Sequence, residues 1–246
     1  MQKSYIETTA LRTCDCDMGG SWRPSGVLMA MQEAAGAHCA QLGIGRAETD
    51  ALGVIWVLSR SRVVFSRVPG LFERVGVETW PLPQRHFYYP RANRFTDGEG
   101  NEIGGAYSLW LLIDPKTRRV VDNDVVSAHL PDNADMPAGP GMPVGARPLG
   151  EIVRAEYRPV YSDFDLNGHV NNTRYLDWCC NALGVEALAR RQLMAFDVCY
   201  ESEIRPGATV RTELSRDGDR FAFVGFDGER RCFSVAGTLG ERPAKG

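Results

Sequence analysis

The chain has 246 residues, of which 43% are hydrophobic, enough for a buried core in one large domain or two small ones. The formal net charge of −3 comes from acids and bases mixed along the whole length, which excludes general nucleic-acid binding through a basic surface. There is no signal-peptide-like N-terminus and no apolar run long enough for a membrane span. The seven cysteines lack zinc-ribbon and CxxC spacing, so we expect reduced thiols in a cytoplasmic protein.

The first half predicts one helix followed by a sheet. A strand over Tyr5–Thr13 leads into a turn-like stretch at Cys14–Gly20. From Gly26 to Leu42 apolar residues recur at helical spacing, and Gly43 stands where a helix C-cap is expected. Four segments rich in β-branched and aromatic residues then predict antiparallel strands: Gly53–Phe65, Val75–Trp80, Phe87–Phe95 and Ala106–Ile113.

The same order recurs after a segment rich in Pro, Gly and Ala at Pro131–Gly150, which is typical of an inter-domain connector. A strand at Glu151–Tyr161 precedes a polar turn at Ser162–Gly168 and a helix from about Val170 to Leu183. Four more strands are predicted at Phe196–Ile204, Thr209–Ser215, Phe221–Phe226 and Arg231–Leu239.

This repetition predicts two tandem α+β domains, at residues 1–135 and 151–246, with a linker at 136–150. A helix over a curled antiparallel sheet leaves sheet edges unpaired, so such units normally associate, and a cleft forms between the copies. The first copy enters its helix through Trp22-Arg23-Pro24-Ser25, whereas the second enters through the polar run Asp163–Asn172. Only the second copy has residues suited to catalysis.

The segment Tyr161–Asn172, continuing to Tyr175 and Trp178, resembles the active-site motif of the acyl-ACP thioesterase family, with its core D-x-N-x-H-V-N-N. The first half is similar to the same family in five short segments: Gln32-Glu33-Ala34, His38-Cys39, Ile55-Trp56-Val57, Ser108-Leu109-Trp110 and Thr117-Arg118-Arg119. The resemblance implies a double hot-dog fold, in which each of two tandem domains packs a long helix on a curled antiparallel sheet.

The resemblance also implies catalytic roles for Asp165, Asn167 and His169, together with a glutamate on a following strand. The family's Y-x-x-E pattern is matched by Tyr200-Glu201-Ser202-Glu203, which selects Glu203. Glu201 stays open as the alternative, because alternate residues of a strand share one face. Some members carry a cysteine after this glutamate, but Ile204 stands here, which disfavours a cysteine acyl-enzyme.

These residue types suit thioester hydrolysis, which needs a base for water and donors for the developing oxyanion. In this hypothesis Glu203 or Asp165 is the base, and His169 and Asn167 orient the water and the thioester carbonyl. Backbone N–H groups near Asn171, at the helix start, would stabilise negative charge. Singly, each residue has a structural interpretation, since Asp and Asn are common helix caps and turn residues.

In this family the first domain largely holds the acyl chain, which implicates Val27, Met31, Ala35, Val54 and Trp56 as substrate-binding residues. An apolar helix face can equally be plain core, and the sequence does not separate the two roles. We expect His38, within the same helix, to be a hydrogen-bonded core or pocket-lining residue rather than a catalytic one.

The implied substrate is a fatty acyl group on acyl carrier protein, released as free fatty acid. The carrier is acidic, so exposed arginines should dock it, with eight candidates: Arg60, Arg62, Arg67, Arg118, Arg119, Arg174, Arg190 and Arg191. We expect no metal, no organic cofactor and neither a nucleic-acid nor a membrane partner; a homodimer is compatible with the sequence. Two alternatives stay open: a thioesterase or dehydratase acting on coenzyme A esters, and a non-catalytic acyl-binding protein.

Overall fold

All eleven strands of the protein join one antiparallel sheet in the computed structural model, which describes residues 2–243. The strands are β1 (Tyr5–Ala10), β2 (Ile55–Phe65), β3 (Arg74–Pro81), β4 (Tyr89–Thr96), β5 (Glu102–Ile113), β6 (Val120–Val121), β7 (Ile152–Tyr157), β8 (Arg191–Tyr200), β9 (Val210–Asp217), β10 (Arg220–Asp227) and β11 (Arg230–Glu241). The helices are α1 (Pro24–Gln41), α2 (Arg46–Ala51), α3 (Asp124–Ala128), α4 (Arg174–Leu183) and α5 (Val185–Arg190). None of these helices combines the length and the apolar character of a membrane span.

The strand order is symmetric about its centre. It runs β1-β3-β4-β5-β2-β8-β11-β10-β9-β7, with the short β6 pairing on β5. Strands β1 to β5 therefore occupy the same places in the first unit as β7 to β11 occupy in the second. Helix α1 packs on β1 and β3, and α4 packs on β9 and β11. The predicted repetition of strand, helix and strands is present, and the two units meet at β2 and β8.

The two main helices follow different local rules at their starts. Helix α1 begins with Pro24, which suits the first helical position, and ends before Gly43, whose φ of 74° is the left-handed conformation that favours glycine. Helix α4 was predicted to start near Val170, and this is wrong by four residues. Val170 instead pairs with Phe164 in an isolated bridge, which keeps the chain extended.

The segment between α3 and β7 contains no helix or strand, and it packs on the sheet. The Trp80 indole N–H donates to the carbonyl of Pro137 at 3.0 Å, and the N–H of Leu149 donates to Ser215 Oγ at 3.0 Å. Ala146 is buried against Ala222 and Val224. Ala222 and Val224 alternate along β10 with Phe221 and Phe223, which face the main core, so the segment covers the outer face of the sheet.

The two units are joined by the pairing of β2 with β8. Arg60–Val64 lies antiparallel to Ala195–Cys199. Within this pairing, Arg62 donates two hydrogen bonds to the Asp197 carboxylate, at 2.7 and 2.9 Å. The Asp197 side chain is 11% exposed, so this ion pair is largely shielded from water. A bidentate arginine–carboxylate pair fixes the relative position of the two side chains as well as contributing energy.

We therefore expect Arg62→Ala to lower the free energy of unfolding by about 2 kcal/mol, because it leaves the Asp197 carboxylate buried without its partner. Urea denaturation measures the change. The matched control is Arg220→Ala, which removes an exposed ion pair with Asp217 and should cost about 0.5 kcal/mol or less. Equal effects of the two substitutions would contradict the proposed importance of the Arg62–Asp197 pair.

Candidate active site

The polar loop between β7 and α4 is anchored by Asp163. This aspartate is buried, and its carboxylate accepts hydrogen bonds from the Val160 N–H at 2.8 Å, the Tyr157 hydroxyl at 3.2 Å and the Trp178 indole N–H at 3.2 Å. Three donors from three parts of the chain fix the start of the loop. The first aspartate of the polar run is therefore a structural residue.

The tip of the loop is a tight turn that brings three motif residues together. The Asp165 N–H donates to the His169 carbonyl at 3.0 Å, and the Gly168 N–H donates to the Asp165 carbonyl at 3.1 Å. Gly168 has a φ of 76°, which favours glycine. The Asn167 N–H donates to Asp165 Oδ1 at 2.8 Å, which is the side-chain bond of an Asx turn.

His169 lies between two carboxylates. Its Nδ1 is 3.7 Å from Asp165 Oδ1, and its Nε2 is 3.6 Å from Glu203 Oε1. Both separations exceed a hydrogen bond, as is common for catalytic groups without bound substrate. All three side chains are between 20% and 28% exposed, so water and a substrate can reach them.

The Glu203 carboxylate is also held by Arg118, which reaches across from the first unit. Burial raises the pKa of Glu203, but the Arg118 hydrogen bond and the nearby charges of His169 and Arg118 outweigh it. The net result is a pKa below the usual value for glutamate. Glu203 is therefore ionised at neutral pH and can accept a proton.

The structure separates the two glutamates that the sequence left open. Strand β8 ends at Tyr200, so the predicted strand through Ile204 is wrong at its end. The N–H groups of Glu201 and Ser202 both donate to the Cys232 carbonyl, at 2.8 and 3.0 Å, which is a bulge. Alternation no longer applies there: the Glu201 carboxylate pairs with Arg231 Nε at 2.8 Å, whereas Glu203 faces His169.

A cavity of about 580 Å³ connects this group with the first unit. At one side it is lined by Asp165, Asn167, His169 and Glu203. From the first unit, α1, β2 and β4 form much of the wall, and their lining residues include Gln32, Ala35, Cys39, Ile55, Trp56, Leu58, Tyr89 and Arg91. One cavity thus joins polar groups of the second unit to a largely apolar slot in the first.

Two family profiles match the chain. That of the acyl-ACP thioesterase N-terminal domain matches residues 2–128, and that of the C-terminal domain matches residues 147–225. Together they cover most of the sequence, and the first alone covers more than half.

The chain belongs to the acyl-ACP thioesterase family. Among its curated relatives is the chloroplastic acyl-[acyl-carrier-protein] hydrolase FATB3 of Cuphea viscosissima, 24% identical over 88% of this chain and 57% of that protein. Another is the chloroplastic oleoyl-acyl carrier protein thioesterase of Coriandrum sativum, 26% identical over 88% of this chain and 63% of that protein. The chain thus spans less than two thirds of the length of these relatives.

Solved structures agree on the fold. An acyl-ACP thioesterase from Bacteroides thetaiotaomicron superposes with a TM-score of 0.87 at 21% identity, covering 96% of this chain and 98% of that one. The 12:0-ACP thioesterase from Umbellularia californica gives 0.83 at 21% identity, covering 97% and 98%. The expectations of acyl-ACP thioesterase membership and of a tandem double hot-dog fold are confirmed.

The first unit of this family member contains a loop with the same hydrogen bonds but without the histidine and asparagine side chains. The Asp17 N–H donates to the Ser21 carbonyl at 2.8 Å, and the Gly19 N–H donates to Asp17 Oδ1 at 2.8 Å, which repeats the bonds of Asp165. Ser21 stands at the place of His169, and Gly19 at that of Asn167. The Arg242 guanidinium hydrogen bonds to Asp17 and Ser21 and fills this loop of the first unit. Only one copy can present an imidazole.

The predicted acyl-chain residues divide into two groups. Ala35 and Trp56 line the cavity, but Val27, Met31 and Val54 do not. Val27 and Met31 are buried in the main hydrophobic core, and Val54 belongs to a second buried cluster. The reason is that the cavity follows the face of α1 that carries Gln32, Ala35 and Cys39. Val27 and Met31 lie on the face of α1 that packs into the core.

The structure contradicts the expectation for Asn171 and agrees with that for His38. The Asn171 N–H donates to the Asp163 carbonyl at 2.8 Å, so it is not free to stabilise an oxyanion; the cavity does include Asn167 and Asn172. His38 is fully buried and hydrogen-bonded, behind the cavity wall. In residues 2–243 no group of three or more His, Cys, Asp or Glu side chains is arranged to hold a metal ion.

Arg118 contacts the catalytic group, a role that the sequence does not predict. The segment Thr117-Arg118-Arg119, which resembles the family, is its signal in the sequence, and it indicates Arg118 only as a candidate for carrier docking. Its contact with Glu203 joins residues 85 positions apart, so spacing alone could not reveal it.

Proposed function

We propose that this protein hydrolyses the thioester of fatty acyl groups on acyl carrier protein, releasing a fatty acid and the free carrier thiol. One observation carries the proposal: His169 lies between Asp165 and Glu203 where a cavity with an apolar wall begins. Membership of the acyl-ACP thioesterase family supports it.

In the proposed mechanism, Glu203 takes a proton from a water molecule that attacks the thioester carbonyl carbon. His169, with its Nε2 towards Glu203, orients this water, and the Asn167 side chain donates to the carbonyl oxygen as it becomes negative. The tetrahedral intermediate then collapses with cleavage of the C–S bond. The leaving thiolate needs little acid assistance, since the pKa of an ordinary thiol is about 8.5. Asp165 contributes by shaping the loop and orienting His169.

The arginines proposed to dock the acidic carrier protein differ in their availability. Five form ion pairs within the protein, namely Arg62, Arg67, Arg118, Arg174 and Arg191. The other three, Arg60, Arg119 and Arg190, form none within the described part of the chain, so we favour them for docking. The cytoplasmic location, the homodimer and the division at residues 136–150 stay predictions.

The experiment that tests the function is thiol release from matched thioesters of acyl carrier protein and of coenzyme A across a series of chain lengths. Faster hydrolysis on the carrier supports the proposal. Preference for coenzyme A would favour the first alternative, and binding of acyl groups without hydrolysis would favour the second.

Glu203→Gln should lower kcat on the preferred thioester by about 10²- to 10⁴-fold, because it removes the proposed base while keeping the shape. Glu201→Gln is the matched control, since Glu201 pairs with Arg231 and does not face His169. We expect it to keep kcat within about threefold of wild type. The roles would have to be exchanged if Glu201→Gln proved the more damaging change.

Arg118→Met should move the acidic limb of the kcat/KM profile to higher pH. Arg118 helps to lower the pKa of Glu203, so its removal lets that pKa rise. The base is active only above its pKa, and the variant should therefore lose activity at a pH where wild type still works. Arg220→Met, at an exposed arginine that pairs with Asp217, serves as the control. An unchanged limb in Arg118→Met would show that Glu203 does not set it.

Ala35→Phe should shift the preference towards shorter acyl chains, because Ala35 lines the cavity and a larger side chain fills part of it. Met31→Trp tests whether Met31, on the same helix, is a core residue and not a cavity residue, since it is buried in the core. We expect that change to cost about 1–3 kcal/mol of stability through overpacking, without a shift in chain length. A chain-length profile and a denaturation curve for each variant distinguish the two roles.

A further inference from the structure

The inner wall of the cavity contains a buried cation without an anion. Arg91, on β4, is 5% exposed and lines the cavity. Its guanidinium contacts His38 Nδ1 at 3.2 Å, Thr79 Oγ1 at 3.3 Å and Cys39 Sγ at 3.5 Å. Among residues 2–243 no carboxylate lies within ion-pair distance of Arg91. Burying a charge is costly unless it is paired, so this arrangement needs an explanation.

Each of the other arginines of the same cavity has a carboxylate partner. Arg46 pairs with Asp50 at 3.8 Å, and Arg118 and Arg205 both pair with Glu203. Arg91 is the exception because it has no carboxylate partner among the residues that the structure describes, and its neighbour His38 is uncharged. Burial first, and then the charge of Arg91, lowers the pKa of His38 to about 4, so the imidazole is neutral at physiological pH. With its Nε2 against the Gln2 carbonyl at 3.2 Å, His38 offers Nδ1 as an acceptor to Arg91.

Arg91 belongs to a row of buried polar residues on the inner face of the sheet. It pairs with Ser108 on β5, and Ser108 pairs with Ser61 on β2. Directly paired residues point to the same face. The hydroxyl of Ser61 and the side-chain nitrogen of Asn93, two residues along β4, are buried without a hydrogen-bond partner in the described residues. This part of the interior therefore has unused hydrogen-bonding capacity.

Arg91 lies far from the proposed reaction centre. Strand β4 is three steps from β8 in the order β8-β2-β5-β4, which is about 14 Å along the sheet. Glu203 follows the end of β8. An acyl chain whose thioester lies beside His169 would therefore meet Arg91 with its distal part, and not with its carbonyl group.

We propose that Arg91 forms a polar subsite that accepts an oxygen function on the distal part of the acyl chain. The inference rests on the thioester hydrolysis proposed above and specifies the class of acyl group. A hydroxyl or oxo group accepts hydrogen bonds from the guanidinium, and a carboxylate also supplies the missing negative charge. A plain alkyl chain would leave the cation against hydrocarbon.

The test compares kcat/KM for carrier-linked thioesters of one chain length that end in a methyl, hydroxyl, oxo or carboxylate group. Wild type should prefer one of the oxygenated chains over the methyl-ended chain by about tenfold or more, and the carboxylate most. Arg91→Met should abolish this preference. Arg94→Met is the matched control, because Arg94 lies on the same strand, pairs with Glu78 and does not line the cavity.

Preference for the methyl-ended chain, with the same ratio in wild type and Arg91→Met, would overturn the inference. If Arg91→Met does not fold, inhibition of the wild-type enzyme by free acids decides instead: a distally oxygenated acid must bind more tightly than the plain acid of equal length. Failure of the proposed function is distinguishable, since none of the carrier-linked thioesters, methyl-ended or oxygenated, would then be hydrolysed.

Discussion

The pairing of β2 with β8 is the contact on which the rest of the molecule depends. Without this pairing, β2 would be an open edge of the first unit and β8 an open edge of the second. Pairing the two strands makes one continuous sheet. The register matters for the site. Residues Arg60–Val64 of β2 pair with β8. Residues Ile55–Leu58 of β2 extend beyond the end of β8, where the chain turns away at Glu201. The cavity lies along this part of β2, which pairs with β5 but not with β8, and Glu203 also lines it.

The two copies of the polar loop distinguish what shapes the site from what would do the chemistry. Asp17 and Asp165 make the same backbone bonds, so these bonds belong to the fold of the loop and not to catalysis. The difference lies in the side chains at the following positions and in what fills the space. Arg242 occupies the first loop, while His169 in the second stands free between two carboxylates and opens to the cavity.

Much of this arrangement could be predicted from the sequence, because strand composition, turn residues and the motif around His169 are local signals. The fold class and the family were confirmed, and the motif residues do come together with Glu203. The errors have tertiary causes. The period of α1 shows that Met31 is buried but not whether it faces core or cavity, and the bulge after Tyr200 depends on pairing with Cys232. Arg91 and Arg118 matter through contacts with distant parts of the chain.

The most direct test of the account is thiol release from a carrier-linked acyl thioester by His169→Ala, with His129→Ala, an exposed histidine outside the cavity, as the control. The account predicts a loss of at least about 10²-fold in kcat for His169→Ala with an unchanged thermal transition, and near-normal turnover for the control. Near-normal turnover by a folded His169→Ala would contradict the assignment of the reaction to this site.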